Sequence, residues 1–259
     1  MGRHVTSMTI YDVDHYSDAE RQQIIDSYPP HEREARAKGI PTMGSGRVFP
    51  IAEERIVCEP VQIPAHWAQI NGLDFGTDHP FAAVRLAWDR DADCVYVTHT
   101  YRQRGEHING EWTGSPAYHA TTLRGWGKWI PCAWPHDGLQ HDRQSGDRLA
   151  ELYRSHELNM LHEHATHPDG GFGTEAGIME LLERMQSGRF KVFANLGDWL
   201  EEFRLYHRKD GKIVKERDDL MSATRIGVMM LRFASTQHPV TPPPSRYGKA
   251  RKSGSAWAA

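Results

Sequence analysis

The sequence predicts an α/β domain built on a central mixed sheet flanked by helices, and three observations carry that prediction. Three short apolar runs, at residues 70–75, 82–88 and 94–101, follow one another at hairpin spacing. From residue 115 onward, helical and strand-like patterns alternate. The last segment, 218–233, is strongly periodic, with Leu220, Ala223, Gly227, Met230 and Leu231 on one core-facing stripe. The expected sheet has five strands, or slightly more.

The elements follow in order. Ser17 and Glu20 have capping-box spacing ahead of Ile24, Ile25 and Tyr28, so a helix is predicted over 18–28, stopped by Pro29-Pro30. A charged segment, His31-Glu32-Arg33-Glu34-Ala35-Arg36, then Gly44-Ser45-Gly46, Pro60 and Pro64 read as a linker with one or two helices. The three apolar runs form a meander, with residues 89–93 turning between the second and third. A helix over 115–129 and a short buried strand over 130–134 follow, the latter running into Pro135-His136-Asp137-Gly138. Ser145 is placed to cap a helix that aligns Leu149, Leu152, Tyr153 and His156. Another strand is expected around 159–162, then a Gly-rich loop through Gly173 and a helix carrying Ile178, Leu181, Leu182 and Met185, with Gly188 as its stop. A strand over 190–193, a helix carrying Leu196, Trp199, Leu200 and Phe203, and a turn at Asp210-Gly211 precede the final helix. The chain thus divides into a linker-like segment 1–66, an α/β domain 67–235, and a tail 236–259. Pro242-Pro243-Pro244 and the basic Arg246, Lys249, Arg251 and Lys252 mark that tail as disordered.

Composition narrows the class of function. With 259 residues, 39% hydrophobic and 25% charged, the chain reads as globular, and no run approaches the ~18 apolar residues of a membrane span. Its three cysteines lie far apart, which argues against a disulfide framework and against a Cys-pair zinc site. A reducing cytoplasmic setting fits. The net charge of −3 gives no general attraction to nucleic acid, so any DNA binding requires locally concentrated cations.

Acidic residues at element ends carry the candidate chemistry. Asp74 closes an apolar strand next to Gly76, and Asp137 follows a second apolar strand where the chain turns. Asp137 alone reads as a turn-forming Asp, a reading that is the lesser one for Asp74; if the two strands are central neighbours in one sheet, the carboxylates lie side by side. Asp218-Asp219 opens the last helix, one as metal ligand and the other as cap or second ligand, with Asp219 the preferred ligand. Hard cations such as Mg²⁺ take oxygen ligands, and two ions about 4 Å apart stabilise both oxygens of an in-line phosphodiester displacement. Among sixteen histidines, His136 and His141 flank Asp137 and are candidates to orient a ligand or touch phosphate. His162-Glu163-His164 is no zinc motif, since i and i+2 face opposite sides of a strand. Lys212 and Lys215, with Arg208, Lys209 and Arg217, form a basic cluster before the last helix.

These motifs, Gly72-Leu73-Asp74-Phe75-Gly76, Ala133-Trp134-Pro135-His136-Asp137-Gly138 and Asp218-Asp219-Leu220-Met221-Ser222-Ala223-Thr224-Arg225, in this order, resemble the RNase H-like superfamily. More narrowly they resemble the nuclease domain of phage terminase large subunits. The segment from Pro30 to Pro41 resembles that family's connection between motor and nuclease. The resemblance implies an RNase H-like fold and an endonuclease cutting concatemeric double-stranded DNA with two Mg²⁺ or Mn²⁺ ions held by Asp74, Asp137, Asp218 and Asp219. It also implies a small terminase subunit and a portal as partners, and the host cell cytoplasm as the setting. The family's ATPase motor carries a GxxxxGK[ST] loop that this sequence lacks, which implies an isolated nuclease domain or truncated product. The alternatives are a Holliday-junction resolvase or transposase-type nuclease on the same fold, and a non-catalytic DNA-binding or assembly module.

Overall fold

The computed structural model describes residues 9–12, 16–27, 37, 46–76, 79–141, 146–209 and 211–237. The charged segment 31–36, Ser145, Asp210 and the tail from 238 on lie outside the described residues. Helix α1 spans Asp18–Ser27 and buries no side chain. The capping box forms: Glu20 Oε2 accepts from the Ser17 amide at 2.9 Å and its hydroxyl at 2.7 Å.

The remaining elements, in chain order, are β1 Val57–Cys58, β2 Ala68–Asp74, β3 Phe81–Asp89, β4 Cys94–Gln103, β5 His107–Ile108, β6 Glu111–Trp112, α2 Pro116–Gly127, β7 Cys132–Ala133, α3 Leu149–Ser155, α4 Thr174–Gln186, β8 Phe190–Phe193, α5 Gly197–Leu205, β9 Arg208–Lys209, β10 Lys212–Ile213 and α6 Asp219–Met229. Six strands form one mixed sheet in the order β1-β8-β4-β3-β2-β7. The β2-β3-β4 meander is antiparallel, whereas β8 joins β4, β1 joins β8 and β7 joins β2 in parallel.

Strand alternation divides the apolar side chains between two cores. Ile70, Val84, Leu86, Val95 and Val97 face the layer of α4, α5 and α6, while Leu73, Phe75, Phe81 and Ala83 face α2 and α3.

The structure departs from the sequence expectations in four places. The stretch around 159–162 is no strand; Met160 makes one isolated parallel bridge to Cys132, and the next carbonyl, that of Leu161, accepts from the Trp134 indole at 2.8 Å. Helix α3 begins at Leu149 with Arg148 at its N-cap and no side-chain cap. The final helix stops at Met229, and a 3-10 turn covers Leu231–Phe233. The core also reaches further towards the N-terminus than Trp67. Val48, Phe49, Ile51 and Ile56 are buried in the first core, β1 forms the sheet edge, and the Phe49 ring stacks on Phe203 at 6.1 Å. Among the described residues no helix is long and apolar enough to cross a membrane.

Candidate active site

Close backbone packing sets the site. Gly72 of β2 lies so near α6 that a Cβ there would meet the Ala223 carbonyl oxygen at 2.1 Å and the Gly227 amide nitrogen at 2.7 Å. Gly227 in turn leaves 3.4 Å between its own Cβ position and the Gly72 Cα. The absence of both side chains lets the helix lie on the strand. Asp74 is two residues beyond Gly72, and Asp219 is the first residue of the helix, so this contact carries the two carboxylates to one end of the sheet.

A third group folds over them. Gly76 has φ +51°, and a Cβ there would strike the carbonyls of His79 and Pro80 at 2.4 and 2.3 Å. His79 thus lies against Gly76 at the strand end, where its Nδ1 is 2.8 Å from Asp219 Oδ1. One ligand atom from each of Asp74, His79 and Asp219 falls within 4.8 Å of the others.

These residues sit in a cleft of about 830 Å³ that Asp137 and Asp218 also line. Asp137 follows β7, which runs parallel to β2 in the register Gly72↔Ala133, so both acids leave the sheet on the same side. Asp137 is exposed on the 3-10 turn His136–Leu139 and stands outside the tight three-residue cluster. Arg102, Arg104, Lys215, Arg217 and Arg225 supply cations to the same walls.

Burial and mutual repulsion define the electrostatics. Loss of solvent pushes the Asp74 carboxyl up to about 6, with Asp219 and Asp218 adding repulsion while His79 and Arg225 favour its charged form. Asp218 is also held above the ordinary carboxylate range by burial and by Asp219. Burial raises Asp219 too, against the opposing pull of His79 and Arg102.

Neither aspartate of the pair caps the final helix. Asp218 occupies the N-cap position without a side-chain hydrogen bond. Glu202, fully buried on α5, caps the helix in its place, and its Oε2 accepts from the amides of Leu220 at 2.7 Å and Met221 at 3.4 Å. Arg102 donates to the other carboxylate oxygen. The expected cap role for one of the two aspartates is therefore corrected, and both carboxylates are left to the cleft.

Of the second set of candidates, His136 and Lys215 line the cleft, and His141 and Lys212 are not among its lining residues. His141 instead bonds the Gly146 carbonyl at 2.8 Å, and Lys212 sits in the β9–β10 hairpin. Sequence reading missed His79, Arg102, Arg104, Glu202 and Arg225. The Asp-x-x-x-x-His-Pro spacing after a glycine was the one available signal for His79.

A family model described as the terminase RNaseH-like domain matches residues 71–231. The chain belongs to the terminase RNaseH-like domain family. A second model, the N-terminal part of T4likevirus-type terminase large subunits, matches residues 2–56. The terminase large subunit of Salmonella phage P22 is 49% identical over 240 residues, covering 92% of this chain and 46% of that protein. That of Enterobacteria phage LP7 is 50% identical over 227 residues, covering 87% and 46%. This terminase-family chain thus spans about half the length of the curated relatives it matches. The structure of the P22 large terminase nuclease domain superposes with TM-score 0.67 at 45% identity, covering 75% of this chain and 97% of that one. The large terminase of a thermophilic bacteriophage, at 14% identity and TM-score 0.57 over 87% of this chain and 55% of that one, shares the fold. The RNase H-like fold expected from sequence stands, and these matches favour a terminase over a resolvase or transposase.

Proposed function

We propose that this chain is the DNA-cutting part of a viral large terminase, hydrolysing phosphodiesters of concatemeric double-stranded DNA with divalent metal ions. The observation that carries the proposal is the Asp74–His79–Asp219 cluster at the end of the sheet, in a cleft with cationic walls. The residues fit such an ion. Burial raises the proton affinity of three carboxylates, Asp74, Asp218 and Asp219, and repulsion from neighbouring acids adds to it at Asp74 and Asp218. A hard cation with oxygen ligands removes that repulsion. Asp74 and Asp219 would hold one Mg²⁺ or Mn²⁺, with Asp218 and Asp137 contributing to a second. When bound, the ions supply charge stabilisation to the attacking and leaving oxygens.

The chain's own groups do the rest. His79 fixes the Asp219 carboxylate by its 2.8 Å contact, and Glu202 holds the first turn beneath it. Arg104 and Lys215 are placed to neutralise phosphates along the cleft. His136 stands beside Asp137 on the same wall. By family, the partners are a small terminase subunit and the portal, and the setting is the host cytoplasm. The N-terminal match over 2–56 supports reading that segment as the junction with a packaging motor.

Incubation of the full chain with supercoiled plasmid tests this. Nicking is expected with Mg²⁺ or Mn²⁺ and not in EDTA. Plasmid binding without nicking under either ion would make the chain a binding or assembly module.

A further inference from the structure

Phe172 stands in the wall of the cleft with 59% of its surface exposed. That is unusual for a large apolar side chain beside polar chemistry. Its loop holds it there. The His167 amide donates to the Gly171 carbonyl at 2.6 Å, and the Gly170 amide to the His167 carbonyl at 2.9 Å. Asp169 Oδ1 accepts from the Gly171 amide at 2.9 Å, and Gly170 adopts φ +87°. The ring is backed by two others. His136 stacks on it at 5.4 Å with an interplanar angle of 15°, and His164 meets it edge-on at 6.1 Å. One aromatic face is thus supported and the rest is open, whereas a side chain serving only to anchor its loop would be buried.

We propose that Phe172, backed by His136, is a stacking platform for one unpaired nucleobase of the DNA strand presented to the carboxylates. The inference rests on the nuclease reading above. Two properties of the cleft favour a nucleobase. Arg104 and Lys215 attract a polyanion to the same cleft, and an open aromatic face accepts any base because every base has a π-face. Intact duplex hides its base faces within the stack, so the platform acts on a base that is frayed, looped or flipped out. The preferred cutting substrate is then DNA locally opened beside the scissile phosphate.

Three labelled oligonucleotides test this, bound to the full chain at low salt in EDTA: an intact duplex, a duplex with a short unpaired loop, and the same loop made abasic. Base–aromatic stacking is lost on alanine substitution at a cost on the order of tenfold in affinity per base. The wild-type chain should prefer the loop with bases over the abasic loop by about tenfold. Phe172→Ala should erase that preference while leaving intact-duplex and abasic binding unchanged, and Phe172→Trp should keep it. Equal binding of both loops by the wild type, or an undiminished preference in Phe172→Ala, overturns the platform. Plasmid nicking with Mg²⁺ or Mn²⁺ is read in parallel. A base preference without nicking defeats the nuclease reading alone, and nicking without a base preference defeats the platform alone.

Discussion

Replacing Asp74 with Asn should make the metal-free protein more stable at alkaline pH while removing its activity. The carboxyl sits at the end of β2 against Asp218 and Asp219, and its proton affinity is raised from 3.8 to about 6. A carboxyl whose value is higher folded than unfolded favours folding fully below 3.8, and that contribution is lost as pH rises through about 6. A shift of about two units corresponds to roughly 3 kcal/mol, present in full as a penalty at pH 8 and still about half present at pH 5. The neutral, nearly isosteric Asn avoids it. For a domain of this size, about 2–3 kcal/mol raises Tm by roughly 5–10 °C. Thermal unfolding of wild type and Asp74→Asn in EDTA at pH 5 and pH 8 checks this: a rise at pH 8 about twice that at pH 5 is expected. Destabilisation at pH 8 equal to that at pH 5 would refute the claim that repulsion and burial strain the site. Mn²⁺ should stabilise the wild type at pH 8 and leave the variant unmoved.

Other perturbations follow from the same geometry. His79→Ala removes the group that favours the charged forms of both Asp74 and Asp219; Mn²⁺ affinity should fall about tenfold, and the pH at which it half-saturates should rise. Glu202→Ala strips two helix amides of their acceptor and leaves Arg102 unpaired, so calorimetry should show a loss of about 3 kcal/mol, with plasmid cutting reduced as Asp219 loosens. Gly72→Ala drives a Cβ into the Ala223 carbonyl; separation of α6 from β2 should cost about 3 kcal/mol or more and abolish cutting together with metal binding. Asp137→Ala, at an exposed position, should abolish cutting while changing unfolding by less than about 0.5 kcal/mol.

What the sequence made legible was local. The meander showed itself through apolar runs and the 89–93 turn, where Asp93 adopts φ +47°. The acids showed themselves because a carboxylate at the end of an apolar strand requires a reason. Long-range geometry stayed hidden. Two-residue β1 exists only because it pairs with β8 more than 130 positions along the chain, in the register Val57↔Val192. Glu202 reads as one more polar position on an amphipathic helix, and only the packing of α5 on α6 aims it at amides eighteen and nineteen residues away. His79 depends on the turn at Gly76, and its contact with Asp219 spans most of the domain. His141 shows the converse: closeness to Asp137 in sequence places it on the loop bond to Gly146 and not in the cleft. Phe172 lay in what read as a plain Gly-rich loop, since nothing in a sequence says that a turn is braced from within.

The most direct measurement is cutting of supercoiled plasmid by the full chain and by Asp74→Asn in Mn²⁺ at pH 8, with the fold of each verified by thermal unfolding in the same buffer. The wild type should nick and linearise the plasmid, and the more stable variant should leave it intact. Cutting by a folded Asp74→Asn at the wild-type rate would contradict the assignment of this carboxylate cluster as the metal site and with it the account of how the fold builds a nuclease.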